Sequence, residues 1–437
     1  MTEPFQVTTR RVFAIAGPAM LANLTTPFLG IVATAVIGRL GEPALLGGVA
    51  IACIIFDCMF WLFGFLRMGT VAFTAQAVGA KDRTEVQAVL IRAVLIAAVV
   101  GIVLIILQAP LSTFMLGIMG GSDAVIRAAR LYFSIRLWSA PFVLANYVML
   151  GWLIGQARTG VALTLQVVIN VVNMAMTAWL VLGLNWGITG AAVAAIIAEA
   201  TGLIAGAIVT WRLLGGRIDI PHHVLFDRTK LLHMLAINRD IMIRTAALIG
   251  AFLFFTAQGA RAGDDVLAAN AVLNNFILVG SFFLDGLANA AEQLCGRSLG
   301  ARDRKNFSQA VRLVVRWGFA FGATVTIVFA LGGANLIDVM TTSPQVRAAA
   351  RDFMWLAALA PICGVMAYSY DGIYIGATWA RDMRNLMITS FVIYLGSWAL
   401  LLPLGNAGLW IALLIFFLSR GLLQAWRYPA LVRTTFA

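Results

Sequence analysis

The sequence has 437 residues, of which 61% are hydrophobic and only 11% are charged, and its formal net charge is +12. Soluble globular domains are roughly 45–50% apolar and about 25% charged, so this composition excludes a soluble enzyme. The excess of basic residues needs a separate explanation, which their positions supply below.

Apolar runs follow one another along the whole chain. A run of about 18 or more apolar residues is typical of a membrane-spanning helix, because a helix satisfies its own backbone hydrogen bonds where lipid cannot. There are about twelve such runs: 12–38, 45–72, 86–110, 127–156, 160–182, 188–214, 234–259, 266–294, 307–332, 350–377, 384–403 and 407–428. The first is longer than a signal-peptide core, which favours a retained helix. The sequence therefore predicts an all-α integral membrane protein.

Lysine and arginine are concentrated at helix ends on one side of a twelve-span topology, as at Arg83, Arg158, Arg304 and Arg384. By the positive-inside rule, both termini are expected in the cytoplasm. This placement explains the net charge without a nucleic-acid partner. The four cysteines and three histidines show no metal-ligand spacing, so neither a metal site nor a cofactor is predicted.

The second half of the chain repeats the first at an offset of 221–222 residues. Three pairs of segments come into register: RLGEPALLGGVAI (39–51) with RAGDDVLAANAVL (261–273), AVGAKDR (77–83) with SLGARDR (298–304), and GWLIG (151–155) with GIYIG (372–376). The repeat predicts an N-terminal lobe at 1–212, a cytoplasmic linker at 213–233 and a C-terminal lobe at 234–437. Six spans per half make these parallel repeats, an arrangement that transporters use, with alternating access by rocking of the halves.

Acidic side chains inside apolar runs are the candidates for cation coupling. Burying a charge in the membrane is costly, so ionisable residues there are rare and usually functional. The C-terminal lobe has four: Asp240, Asp285, Glu292 and Asp371. Asp285 and Glu292 are two helical turns apart and are expected to face the same way. A carboxyl group in a low-dielectric cavity can exchange a proton near physiological pH or bind a small cation.

Two of these acids have a structural alternative. Glu292 is close to Arg297 in sequence and can extend to the cytoplasmic surface instead. Asp240 and Arg244 have the i, i+4 spacing of an ion pair within one helix. Asp371 has no basic residue close to it in sequence, and for Asp371 and Asp285 a transport role is favoured.

Polar and adaptable apolar side chains are candidates for substrate binding, namely Asn170, Asn173, Asn274, Met68, Phe282 and Tyr370. Asn170 and Asn173 lie on one helical face, where hydrogen bonding between helices is an alternative role. Arg67 and Arg136 are basic residues within or near the apolar runs of the first half, and a structural balance with Asp57 or Glu199 is favoured over substrate contact.

Several motifs together resemble the multidrug and toxic compound extrusion (MATE) family, in its DinF-like branch. They include TPFLGIVATAVIGRLG (26–41), FLRMGTVAFTAQAVGAKD (65–82), GWLIGQAR (151–158), LDGLANAAE (284–292) and DGIYIGATWARDMRN (371–385). The resemblance implies an exporter of cationic or amphipathic organic compounds, driven by inward movement of H⁺ or Na⁺ across the bacterial inner membrane. A monomer is expected. By position, the four acids named above match acids of the family's second lobe, and Asn170 and Asn173 match polar residues of its first.

The chain departs from the family pattern in the first lobe. Ala33 and Thr177 stand where family members with a first-lobe cation site have acids, and neither residue can titrate. The resemblance therefore implies coupling through the C-terminal lobe. The alternatives are a flippase for a lipid-linked precursor from the same superfamily and an uncoupled, degenerate carrier. An enzyme is not expected, because the sequence has no GxSxG, HExxH or paired catalytic aspartate motif.

Overall fold

The structure is a computed structural model that describes residues 5–437. In this range the chain forms sixteen α-helices and no β-strand. The helices are α1 (Thr9–Gly38), α2 (Pro43–Leu62), α3 (Phe65–Gly79), α4 (Arg83–Ile106), α5 (Gln108–Met119), α6 (Asp123–Arg136), α7 (Ala140–Gly155), α8 (Thr159–Ala178), α9 (Gly187–Leu213), α10 (His222–Leu225), α11 (Arg228–Arg261), α12 (Asp264–Gly300), α13 (Arg304–Met340), α14 (Pro344–Gly376), α15 (Ala380–Leu400) and α16 (Gly405–Thr435).

Eleven helical segments of the described chain are long and apolar enough to cross a membrane. They correspond to eleven of the predicted runs, and the all-α membrane class is confirmed. The remaining run, 384–403, falls on α15, whose first two turns carry Arg381, Asp382 and Arg384. These charges lower the mean hydropathy of a helix of only 21 residues.

The chain divides into two compact units. The N-terminal unit comprises Leu21–Ala77 and Asp82–Met234, and the C-terminal unit comprises Leu235–Ala437, Val78–Lys81 and the residues up to Met20. The first part of α1 is thus grouped with the helices of the second half of the chain, which the repeat does not predict.

Hydrogen bonds hold the start of the chain within the C-terminal unit. The backbone N–H of Val7 donates to Asn306 Oδ1 over 2.9 Å, and Asn306 Nδ2 donates to the carbonyl oxygen of Phe5 over 2.7 Å. Phe13 packs edge-to-face on Trp317, with ring centroids 4.8 Å apart. Residues 5–20 are therefore an integral part of this unit.

The repeated GA(K/R)D sequence forms the same turn twice. Lys81 has φ 59° and Arg302, 221 residues later, has φ 52°, a left-handed conformation that is uncommon for residues other than glycine. The aspartate that follows caps the next helix: Asp82 accepts the N–H of Glu85, and Asp303 accepts that of Asn306, both over 2.9 Å. The bonds from Asn306 hold the pKa of Asp303 below its usual range.

The GWLIG and GIYIG motifs make equivalent close helix crossings in the two units. Gly151 of α7 lies against the backbone carbonyl of Arg67 on α3, and Gly372 of α14 lies against that of Ala288 on α12. A methyl group at either glycine would clash with the carbonyl oxygen. Small residues at such positions let helix backbones approach closely in a membrane, and Gly372 thereby fixes the position of its neighbour Asp371.

The polar connection at 213–233 is bound to the N-terminal unit. Arg92 of α4, only 3% exposed, donates from Nε to the carbonyl oxygen of Leu225 over 2.9 Å and from Nη2 to that of Val224, at the end of α10. Arg92 also pairs with Glu85 over 2.7 Å, and Glu85 pairs with Lys230 over 2.7 Å. The connection is therefore a docked segment with defined contacts.

Candidate functional site

The interior of the C-terminal unit holds a cluster of charged side chains centred on Asp371 of α14. The Asp371 side chain is 4% exposed. Its Oδ2 accepts hydrogen bonds from Arg244 of α11 and, over 2.5 Å, from Arg420 of α16. Its Oδ1 accepts a bond from Gln424 of α16 over 2.8 Å. Three helices thus enclose one carboxylate with two guanidinium groups and an amide.

The cluster is internally complementary. A carboxylate removed from water is stabilised by ion pairing and by hydrogen bonds to its charged form. The Arg420 guanidinium also lies over the ring of Phe416, 5.5 Å from its centroid, a favourable cation–π arrangement. Within residues 5–437, Nε of Arg244 and both Nε and Nη1 of Arg420 have no hydrogen-bond partner. These donors are available to a further oxygen ligand.

Asp285 and Glu292 of α12 belong to the same cluster. The charges of both act on Arg244, and that of Asp285 also acts on Arg420. Glu292 is 2% exposed, so its side chain does not extend to the surface, and the surface alternative is wrong. Asp285 is partly exposed. The structure therefore brings three of the four predicted acids around Arg244.

Asp240 lies outside this cluster, and the i, i+4 ion pair with Arg244 is not formed. Asp240 accepts hydrogen bonds from Arg384 of α15 over 2.6 Å and from its neighbour Arg239 over 3.1 Å. Arg244 binds Asp371 instead. The alternative reading of Asp240 as a structural ion-pair partner names the wrong arginine, because spacing along one helix gives no information about acids on other helices.

The predicted first-lobe asparagines form hydrogen bonds within the N-terminal unit. Asn170 Nδ2 donates to Thr25 Oγ1 of α1 over 2.7 Å, and its Oδ1 accepts a bond from Gln166 Nε2 over 3.1 Å. Asn173 Oδ1 lies 3.4 Å from Thr177 Oγ1, which donates to it. Asn170 thus joins α8 to α1, the interhelical role that the sequence left open.

The other predicted substrate residues are divided between the two units. Met68 is partly exposed on α3 of the N-terminal unit, and Asn274 and Phe282 are partly exposed on α12. Tyr370 is buried against Tyr428, with ring centroids 5.7 Å apart. In the described part of the chain, no group of three or more His, Cys, Asp or Glu residues is placed to hold a metal ion.

Sequence reasoning missed Arg420 and Gln424, the two α16 partners of Asp371. A signal was present, because Arg420 and Gln424 are one helical turn apart inside the apolar run 407–428. Polar residues so placed share one helical face and are expected to meet a buried polar partner.

Comparisons with known proteins agree with this architecture. The MatE family model matches residues 18–179 and 241–396. The chain is 37% identical to DNA damage-inducible protein F of Escherichia coli (strain K12) over 96% of this chain and 92% of that protein. It is 26% identical to a probable multidrug resistance protein NorM of Rhizobium meliloti (strain 1021), over 95% and 90% of the two chains.

Solved structures show the same fold. A multidrug resistance MATE family transporter of the MOP superfamily in an outward-facing conformation gives a TM-score of 0.88 at 17% identity, over 98% of this chain and 96% of that one. A MOP superfamily transporter from Pyrococcus furiosus gives 0.88 at 16% identity, over 98% and 97%. The expectation of a transporter rather than an enzyme is confirmed by these relatives. The chain belongs to the multidrug and toxic compound extrusion (MATE) family.

Proposed function

We propose that this protein is a secondary active exporter of cationic or amphipathic organic compounds, driven by inward movement of H⁺ or Na⁺. It acts in a bacterial inner membrane with both termini in the cytoplasm. Family membership and relatives described as multidrug resistance proteins support export of small organic molecules. The positions of lysine and arginine support the orientation.

The charge balance of the Asp371 cluster carries the proposal for coupling. Two arginines, Arg244 and Arg420, face three acids, Asp371, Asp285 and Glu292. With every group ionised, these five side chains carry one net negative charge in a low-dielectric interior. Such a charge is costly, and a single proton or monovalent cation removes it. The cluster is thus suited to bind one such cation for each cycle.

The hydrogen bonds of Asp371 support different roles for the three acids. Asp371 is fixed as a carboxylate by two guanidinium groups and serves as the anchor of the cluster. Asp285 and Glu292 act on Arg244 without displacing it from Asp371, and they are the groups that take up the cation. Loss of charge at either one changes the balance of forces on Arg244. If the inward-open and outward-open states differ in that balance, cation binding shifts the equilibrium between them.

Transport in proteoliposomes tests the proposal, with ethidium as the organic cation. A pH gradient and a Na⁺ gradient are imposed separately across vesicles that contain the purified protein. We expect one of them to drive ethidium movement, and Asp285→Asn and Glu292→Gln each to abolish that drive. Asp265→Asn is the matched control, because Asp265 is exposed in the first turn of the same helix. Wild-type protein that responds to neither gradient contradicts the exporter, and normal driven transport by both variants contradicts the coupling site.

A further inference from the structure

The N-terminal unit contains an acid inside its helices that the proposed mechanism does not use. Glu199 of α9 is partly buried, and its carboxylate accepts a hydrogen bond from Asn146 Nδ2 of α7 over 2.7 Å. The same amide nitrogen donates to the backbone carbonyl of Glu199 over 2.9 Å. Asn146 is 4% exposed. Among residues 5–437, no basic side chain forms an ion pair with Glu199.

The charged and titratable groups linked to Glu199, directly or through Tyr147, come from four other helices. Arg136 of α6 acts on it electrostatically. Tyr147 of α7 is influenced by Glu199 and also by Asp57 of α2 and Arg67 of α3. Arg136, the basic group that acts on Glu199, donates its hydrogen bonds to other residues.

Arg136 has aromatic side chains and a thiol as its direct partners. Its Nη1 donates to Tyr132 Oη over 3.2 Å and to Cys53 Sγ over 3.4 Å. Its guanidinium lies over the ring of Phe56, 4.7 Å from the centroid. The hydrogen-bond partner of the Glu199 carboxylate is therefore a neutral amide, in contrast to the two guanidinium groups that bind Asp371.

The internal repeat sharpens this contrast. At the offset of 221 residues, Glu199 occupies the position of Arg420. The C-terminal unit thus places a permanent cation where the N-terminal unit places an acid. Arg420 holds a carboxylate in its charged form, whereas Glu199 has a partner that is compatible with either protonation state.

An amide suits a carboxyl group that changes its protonation state. The NH₂ group of asparagine donates to a carboxylate, and its carbonyl oxygen accepts from a protonated carboxyl after a rotation of the side chain. Protonation also removes the cost of a partly buried charge that forms no direct ion pair.

From these contacts we infer that Glu199, positioned by Asn146, is a second proton-binding site, in the N-terminal unit. Glu199 takes up a proton when the organic cation leaves and releases it when the cation binds. The site stands apart from Ala33 and Thr177, neither of which can titrate. The inference rests on the proposed function in one respect, that the protein transports an organic cation. It does not depend on coupling at the Asp371 cluster.

The test counts protons released when the purified full-length protein binds ethidium. Calorimetric titrations in buffers of different ionisation enthalpy give this number between pH 6 and pH 8. We expect Glu199→Gln to bind ethidium and to release about one proton fewer than the wild type, because glutamine keeps the bond to Asn146 and cannot titrate. Glu42→Gln, at an exposed position of the same unit, is the control and is expected to match the wild type.

Each outcome decides between the two sites. Equal proton release by Glu199→Gln and the wild type overturns the inference. If Glu199→Gln does not fold, Glu199→Asp replaces it, and an unchanged midpoint in its pH profile of proton release overturns the inference instead. Loss of gradient-driven transport in Asp285→Asn with the Glu199-dependent proton retained supports two separate sites. A wild type that binds ethidium with no proton release and moves it on a Na⁺ gradient overturns the role of Glu199 and leaves the exporter in place.

Discussion

The first role of Asp371 is to balance the positive charges of two buried arginines. Asp371 is buried between Arg244 and Arg420, and its carboxylate satisfies donors from both. Truncating one member of a buried ion pair leaves the others uncompensated, at a cost of about 3–5 kcal/mol. A substitution of Asp371 is thus expected to change both stability and transport, so the two properties must be measured separately.

We expect Asp371→Asn to lower the thermal stability of the purified protein and to abolish transport. The double variant Asp371→Asn/Arg420→Gln is expected to regain a large part of the stability, because it also removes one buried positive charge, but not the transport. Thermal unfolding followed by size-exclusion chromatography measures the first property, and ethidium movement measures the second. The contrary result is additivity, in which the stability lost by the double variant equals the sum of the losses of Asp371→Asn and Arg420→Gln. It would show that the two residues are energetically independent.

At this scale the sequence predicts which residues matter better than it predicts their partners. The sequence predicts Asp285, Glu292 and Asp371 as acids inside apolar runs, and all three act on Arg244. The partners of Asp371 come from α11 and α16, over 127 and 49 residues of chain. Spacing within one helix reports only contacts within that helix, which is why the structural alternative for Asp240 names Arg244 and not Arg384.

The helices are held in each unit by close crossings at equivalent glycines. In the C-terminal unit, Gly372 brings α14 against the backbone of Ala288 on α12, and α12 carries Asp285 and Glu292. The crossing therefore sets the distance between Asp371 and the two acids that share its arginine. A change of packing here acts on the charged cluster without altering any charged residue.

We expect Gly372→Ala to destabilise the protein by about 1–3 kcal/mol, the usual cost of overpacking, and to reduce gradient-driven transport. Gly396→Ala is the matched control, because an added methyl at Gly396 of α15 meets nothing within 4 Å. Both variants are compared by thermal unfolding and by ethidium transport. Equal stability of the two variants would mean that α12 and α14 can separate without loss.

Hydropathy predicts the helical runs but not their interruptions. The predicted run 45–72 is two helices, α2 and α3, and 127–156 is divided by a 3₁₀ turn at Leu137–Ser139. The residues at these breaks are largely apolar, so the mean hydropathy is little changed across them. The repeat, in contrast, predicted matched segments that share a detailed geometry, including the left-handed Lys81 and Arg302.

For the whole molecule, the central connection is a defined part of the N-terminal unit. The sequence predicts a polar linker at 213–233, and such a linker is expected to tolerate substitutions. Arg92, Glu85 and Lys230 instead form a chain of contacts that holds α10 and the start of α11 on α4. Tolerance is therefore expected at exposed positions of the connection but not at the residues that bind it.

We expect Arg92→Ala to make the connection more accessible to trypsin in inside-out membranes, because two carbonyl groups and Glu85 lose a buried partner, at about 1–3 kcal/mol for each unsatisfied group. Cleavage at Arg217 and Arg228 is measured against time. Arg83→Ala, at an exposed position of the same helix, serves as the control. Cleavage of Arg92→Ala at the control rate would mean that the docking contacts do not restrain the segment.

The bonds between Asn306 and the start of the chain impose an order of events on synthesis. Val7 and Phe5 are made 299 and 301 residues before their partner. The whole N-terminal unit is therefore translated before Asn306 and Trp317 are made. Until then the start of the chain and the first part of α1 lack these partners. A truncated chain that begins at Leu235 lacks this segment, so we expect the isolated half to be degraded by the cell. Supplying residues 1–234 as a separate chain should restore its accumulation, because that fragment brings the missing first helix.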